Sequence, residues 1–223
     1  MSLDPSSRAA LLERIPGVFP VDHPLVQHKI SSLRRVETQP REFRSLVEEL
    51  GTLVAYEATR DLQLETVPIE TPLETAECPV LAGKNLCIVS IMRAGNGLLE
   101  GVLKLAPDSR VGHVGLYRDP KTKRPIEYYT KLPHALGERT VLLVDPMLTT
   151  GHSAAAAAHK LVEMGASRIR FVCLFAAPEG IELFKREHPD IPIYAAVIDR
   201  GLDDNAYIRP GVGDAGDRIY GTQ

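Results

Sequence analysis

An acid followed by a run of hydroxyls is the part of this sequence best equipped for chemistry. In TVLLVDPMLTTGHS (Thr140–Ser153), Asp145 closes an unbroken apolar run, Val141–Val144. Thr149, Thr150, Gly151 and Ser153 follow, and then a run of alanines, Ala154–Ala158. The apolar run reads as a strand buried on both faces. The alanines lead into a helix, so the unit is strand, loop, helix. A helix start offers unpaired N–H groups and a partial positive charge, which suit a phosphate. An acid at the carboxyl end of a parallel strand faces the crevice where α/β sheets bind ligands. Together they suggest a ligand with hydroxyls and a phosphate, such as a ribose 5-phosphate. A plainer reading, in which the Thr/Ser/Gly turn only caps a helix, uses the same residues.

A second set lies upstream in SIMRAGNG (Ser90–Gly97). The strand Leu86–Ile91 is followed by Arg93, Ala94, Gly95 and Gly97, then by the helix Leu98–Leu105. Small residues let backbone approach a ligand closely, and Arg93 adds a forked cation for phosphate oxygens. Alone this is a weak signal; beside the Asp145 loop it is the expected second half of a diphosphate site. Arg118, Lys121, Lys123 and Arg124 cluster between the strands Val111–Tyr117 and Ile126–Lys131, as a basic flap or a solvated hairpin tip. His23 and His28 are five apart, which puts them on different faces of a helix. No Cys or acid completes a metal set, so they read as structural or surface residues.

These motifs carry a resemblance. VLLVDPMLTTGHS resembles the phosphoribosyl diphosphate (PRPP) motif of the phosphoribosyltransferases, in the form found in the uracil phosphoribosyltransferase family. SIMRAGNG is similar to that family's pyrophosphate loop, and YIRPGVGDAGDRIYGT (Tyr207–Thr222) to its uracil-binding tail. HPLVQHKI and AAPEGI extend the likeness over roughly residues 21–223. The resemblance implies transfer of ribose 5-phosphate from PRPP to uracil, giving UMP and pyrophosphate, with Asp145 as the catalytic carboxylate that stabilises charge on the ribose. It implies PRPP contacts from Arg93, Arg118, Asp145, Pro146, Met147, Leu148, Thr149, Thr150, Gly151, His152, Ser153 and Asp214. Uracil would be read by Ile208, Gly213, Asp214 and Ala215. Mg²⁺ is the implied cofactor, held mainly by PRPP rather than by protein ligands, as its preference for phosphate oxygens and water allows. Homodimers or larger assemblies and a GTP effector are implied as well. No side chain stands out as a base for uracil. Many phosphoribosyltransferases carry two consecutive acids where this chain has Asp145–Pro146; the uracil enzymes share the proline form. His152 is a departure: it puts a side chain at the phosphate-binding turn, where the uracil enzymes usually carry glycine. Other readings on the same fold are a phosphoribosyltransferase for another base and an RNA-binding regulator of pyrimidine genes.

The elements that must position these residues alternate strand and helix, which indicates an α/β fold: a mostly parallel central sheet with helices on both faces. Further strands are expected at Arg170–Phe175 and Ile193–Ile198, with helices at Ser6–Ile15, Arg41–Arg60, Ser153–Met164 and Glu179–Glu187. Glu65–Leu81, with Pro68, Pro72 and Pro79, suits an edge β-hairpin outside the main sheet. Residues 21–223 read as a single domain, with residues 1–20 as an N-terminal extension. The tail from about residue 199 carries Gly201, Gly211, Gly213, Gly216 and Gly221 beside Tyr207, Ile208 and Tyr220, and reads as a hood over the site. A length of 223 residues with 44% hydrophobic content is enough for one core. A net charge of −3 speaks against a general nucleic-acid binder. Cys78, Cys87 and Cys173 lack metal spacing and suit a reducing compartment. No apolar run approaches the roughly 18 residues of a membrane span, and no signal-peptide segment opens the chain, so no membrane association and a cytoplasmic location are expected.

Overall fold

The computed structural model describes residues 2–84, 86–118 and 125–222. The chain opens with α1 (Pro5–Arg14), β1 (Val18–Pro20), α2 (Pro24–Arg34) and α3 (Pro40–Ala58). The hairpin β2 (Leu64–Glu70) and β3 (Thr75–Leu81) follows. Next come β4 (Cys87–Met92), α4 (Gly95–Leu105), β5 (Arg110–Arg118) and β6 (Pro125–Lys131). The central unit is β7 (Thr140–Val144), β8 (Met147–Leu148) and α5 (His152–Glu163). It leads into β9 (Arg168–Ala176), α6 (Pro178–Glu187) and β10 (Ile193–Ile198). The tail holds β11 (Gly201–Leu202), β12 (Ile208–Arg209) and α7 (Ala215–Tyr220).

The main sheet runs β1-β10-β9-β7-β4-β5-β6, with β8 added beside β9. Every pairing in it is parallel except the β5–β6 hairpin. Parallel strands of this kind are buried on both faces, and β7 shows it: all five of its residues are buried. Its side chains alternate between two cores. Val141 and Leu143 join Ala154, Leu161, Ile181 and Phe184 of α5 and α6. Leu142 and Val144 join Val26, Phe43, Leu50 and Leu98 of α2, α3 and α4. Each fully buried Leu or Phe contributes about 1.5–3 kcal/mol of transfer free energy, so the two layers hold the strand ends in fixed relation.

β2 and β3 pair antiparallel as a separate two-stranded sheet, as their prolines and weak alternation suggest. Two features depart from the sequence reading. Residues 18–20 are not outside the domain: β1 pairs in parallel with β10, Val18 and Leu11 enter the core, and Leu3 N–H donates to the Ile198 carbonyl. Such a short segment ending in Pro20 has too little pattern of its own to signal a strand. The tail also contains a helix, α7, which its glycines conceal. His23 and His28 form no pair; His23 caps α2, its Nδ1 accepting from the Leu25 N–H at 3.1 Å.

Candidate active site

The parallel strands β4, β7, β9 and β10 end on one side of the sheet, and there the loops enclose a cavity of about 450 Å³. Its floor is Asp145, one residue past β7. The loop residues Thr149, Thr150, Gly151 and Ser153 also line it, as does Arg93. The tail closes it with Tyr207, Ile208, Gly213, Asp214 and Ala215.

The segment after Asp145 is spliced onto the sheet. The Pro146 carbonyl accepts from Leu174 N–H at 3.1 Å and Phe175 N–H at 2.9 Å, and Met147 and Leu148 pair with Phe175 and Ala176 as β8. The loop therefore cannot swing away from the strand end. It then turns at Gly151, whose φ of +85° lies in the left-handed region. A Cβ there would sit 2.7 Å from the Gly180 carbonyl oxygen, so both conformation and space require glycine. Helix α5 starts immediately afterwards without a side-chain cap. Its first N–H groups are open to an anion, which is how helix N-termini bind phosphates.

Asp145 is a perturbed acid. Burial at the cavity floor pushes its pKa up to about 7; the Met147 N–H, donating to Oδ1 at 3.2 Å, opposes this, and the charge of Asp214 adds to it. A carboxylate with so little stabilising environment gains most from positive charge that develops beside it. Asp214 is exposed and caps α7, accepting from the Asp217 N–H at 2.9 Å. Arg93 follows β4 with its side chain 58% exposed, its Nη2 3.9 Å from Asp217 Oδ1.

Not every residue singled out in the sequence reaches the cavity. Pro146 is buried behind it. His152 is exposed, does not line the cavity, and pairs its Nδ1 with Thr150 Oγ at 3.1 Å. The side chain at this turn is therefore not part of the cavity lining. Arg118 closes β5, but its side chain, like residues 119–124 with Lys121, Lys123 and Arg124, lies outside the described residues. Conversely Asn205, Ala206, Tyr207 and Gly216 line the cavity without having been singled out as contacts. Tyr207, in the glycine-rich tail, carried the only side-chain signal among them.

The hood is held by a network the sequence did not reveal. Asp199, fully buried at the end of β10, takes a bidentate pair from Arg34 of α2 at 2.8 and 2.6 Å and accepts from the Gly211 N–H at 3.0 Å. Arg34 also donates to the Gly211 carbonyl at 2.9 Å. Arg218 donates to the carbonyls of Leu33 and Val212 at 2.8 and 3.2 Å, tying α7 to α2. Among the described residues, no group of three or more His, Cys, Asp or Glu side chains is placed to hold a metal ion, and no helix is long and apolar enough to cross a membrane.

The family model described as uracil phosphoribosyltransferase matches residues 20–222. Proteins named uracil phosphoribosyltransferase from Rhizobium etli (strain CIAT 652) and Thermoanaerobacter sp. (strain X514) are each 56% identical over 207 residues, 93% of this chain and 99% of each relative. The solved structure of the AQ2163 protein from Aquifex aeolicus superposes with a TM-score of 0.88 at 32% identity, over 92% of this chain and 99% of that one. By its sequence over nearly its whole length, by its fold and by the motifs that meet in this cavity, the chain belongs to the uracil phosphoribosyltransferase family.

Proposed function

We propose that the chain transfers the 5-phosphoribosyl group of PRPP to uracil, releasing pyrophosphate and UMP. The observation that carries the proposal is the convergence in one cavity of a strand-end acid, an open helix N-terminus and a backbone-rich tail. The N–H groups at the start of α5, with Thr149, Thr150 and Ser153, bind the 5′-phosphate. Arg93, assisted by Arg118, binds the diphosphate. Asp145 receives the ribose hydroxyls and stabilises the positive charge that develops on the ring as the bond to pyrophosphate loosens. Catalysis then rests on positioning and on preorganised electrostatics.

Mg²⁺ fits this donor set. Asp145 and Asp214 offer hard carboxylate oxygens, too few to bind the ion without substrate, so PRPP oxygens would supply the remaining ligands. The ion would offset the charge of the departing pyrophosphate. Cytoplasmic location, assembly as a homodimer or larger oligomer and response to GTP belong to the same reading and rest on the family resemblance. The exposed apolar side chains of the β2–β3 hairpin, Leu64, Leu73 and Leu81, are compatible with an assembly surface.

Base choice follows from backbone groups of Ile208, Gly213 and Ala215. N–H groups meet uracil O2 and O4, and a carbonyl meets its N3 proton. Cytosine reverses two of these pairings, each costing about 1–3 kcal/mol when buried. Incubation with PRPP, Mg²⁺ and a panel of bases, resolved by chromatography, tests this: UMP formation should exceed the cytosine reaction by roughly 10²–10⁴-fold. Comparable rates with cytosine, or a preference for a purine, would overturn the assignment of the tail.

A further inference from the structure

Two walls of the cavity come from distant parts of the chain: the Arg93 loop after β4, and the tail segment Gly213–Gly216 that runs into α7. They meet through Tyr220, the last residue of α7. Its hydroxyl donates to the Arg93 carbonyl at 2.8 Å. The Arg93 guanidinium carbon lies 5.5 Å from the centre of the Tyr220 ring, and Asp217 Oδ1 lies 3.9 Å from Arg93 Nη2. The hydroxyl fixes the loop backbone. The ring and the carboxylate orient the cation, which lowers the ordering cost that an exposed arginine otherwise meets when it binds a ligand.

Helix α7 is itself anchored. Ile219 is fully buried, Arg44 donates to its carbonyl at 2.8 Å, and Arg218 donates to the Arg35 carbonyl at 2.6 Å. Asp214 caps its first turn, so the tail segment in the cavity and the contact on Arg93 are two ends of one short rigid body. Tyr220 is different: it is 39% exposed, and its ring can be shortened without emptying the core.

On the reading that Arg93 holds the diphosphate, we propose that Tyr220 is a positioning residue for Arg93, and that α7 couples the base-reading tail to the diphosphate loop. A base that fixes Gly213–Ala215 steadies α7 and, through Tyr220, the Arg93 loop. Diphosphate on Arg93 does the same in reverse, because coupling between two sites is reciprocal.

The test compares the full-length wild type with Tyr220→Phe, Tyr220→Ala and Arg93→Ala. Steady-state kinetics give kcat and KM for PRPP, and thermal melting reports the fold. Calorimetric titration of pyrophosphate with Mg²⁺, with and without uracil, reads the coupling; those two ligands cannot react with each other. Tyr220→Phe should raise the PRPP KM about two- to tenfold, the worth of one hydrogen bond, with kcat and melting little changed. Tyr220→Ala should raise it further, since the stacked ring goes too. In the wild type uracil should tighten pyrophosphate, and in both Tyr220 variants that tightening should shrink. If both variants keep the wild-type PRPP KM and pyrophosphate affinity while Arg93→Ala loses them, the positioning role is overturned and the diphosphate role of Arg93 stands. If Arg93→Ala changes nothing, both fail. A wild type whose pyrophosphate affinity ignores uracil overturns the coupling.

Discussion

Asp145 and Asp199 look alike in the sequence and differ in the structure. Each is the acid that ends a buried apolar parallel strand, β7 in one case and β10 in the other. Asp199 is sealed from solvent and paired to Nη1 and Nη2 of Arg34, with the Gly211 N–H as a further partner. Among the described residues Asp145 has one donor, the Met147 N–H, and it lines the cavity. A carboxylate whose bonds are completed within the protein fixes the structure. One left with little stabilisation beside a cavity keeps its interaction energy for a ligand. On the proposed function the two acids divide the work: Asp199 holds the hood in place, and Asp145 meets what the hood encloses.

The largest effect expected from breaking this contrast is on stability. Asp199→Ala leaves the Arg34 guanidinium without its partner and frees the Gly211 turn, at a cost of about 3–5 kcal/mol, as for other buried pairs that lose one member. Urea denaturation should show a lower midpoint, and any folded fraction should have a raised KM for uracil, because Gly211 lies between the tail residues Ile208 and Gly213. A loss under about 0.5 kcal/mol, the scale of an ordinary surface substitution, would mean the pair is not what holds the hood.

Arg93→Ala tests the other wall of the cavity. Losing one charged hydrogen-bonding group at a site with other donors should cost about 1.5–3 kcal/mol in PRPP binding. Titration of PRPP and inhibition by pyrophosphate should weaken together, and wild-type values for both would remove Arg93 from the site.

A smaller effect concerns pH. Asp145 holds its proton more tightly folded, with a pKa of about 7, than unfolded, at 3.8. Its contribution to stability is therefore complete below about pH 4 and lost as pH rises through 7. Asn does not titrate. Asp145→Asn should match the wild type in acid and exceed it above neutrality, by on the order of 2 kcal/mol, the open cavity softening the full shift. Melting curves across pH 4–8 measure the difference, and a constant offset would mean that Asp145 ionises as it does in water.

Much of this was legible from local pattern. The apolar run Val141–Val144 with the Thr/Ser/Gly turn after it marks a strand, a loop and a helix start without reference to anything distant. The same holds for Leu86–Ile91 and Arg93. What stayed hidden depends on partners far along the chain. Arg34 and Asp199 are 165 residues apart, and nothing near either names the other. β1 is a strand because β10 offers it an edge, and α7 is a helix because Asp214 caps it and Arg44 and Arg218 anchor it. His152 shows the limit from the other side. Its position puts a side chain at the phosphate-binding turn, and only the folded chain shows that this side chain bonds Thr150 and does not line the cavity.

The central claim is that Asp145 keeps its interaction for the transition state. It is tested most directly by the turnover of Asp145→Asn at saturating PRPP, Mg²⁺ and uracil, with far-UV circular dichroism as a control for the fold. The fold should stay intact and kcat should fall by roughly 10²–10³-fold, the usual loss when a preorganised electrostatic contact is removed. A folded variant that makes UMP at close to the wild-type rate would contradict it.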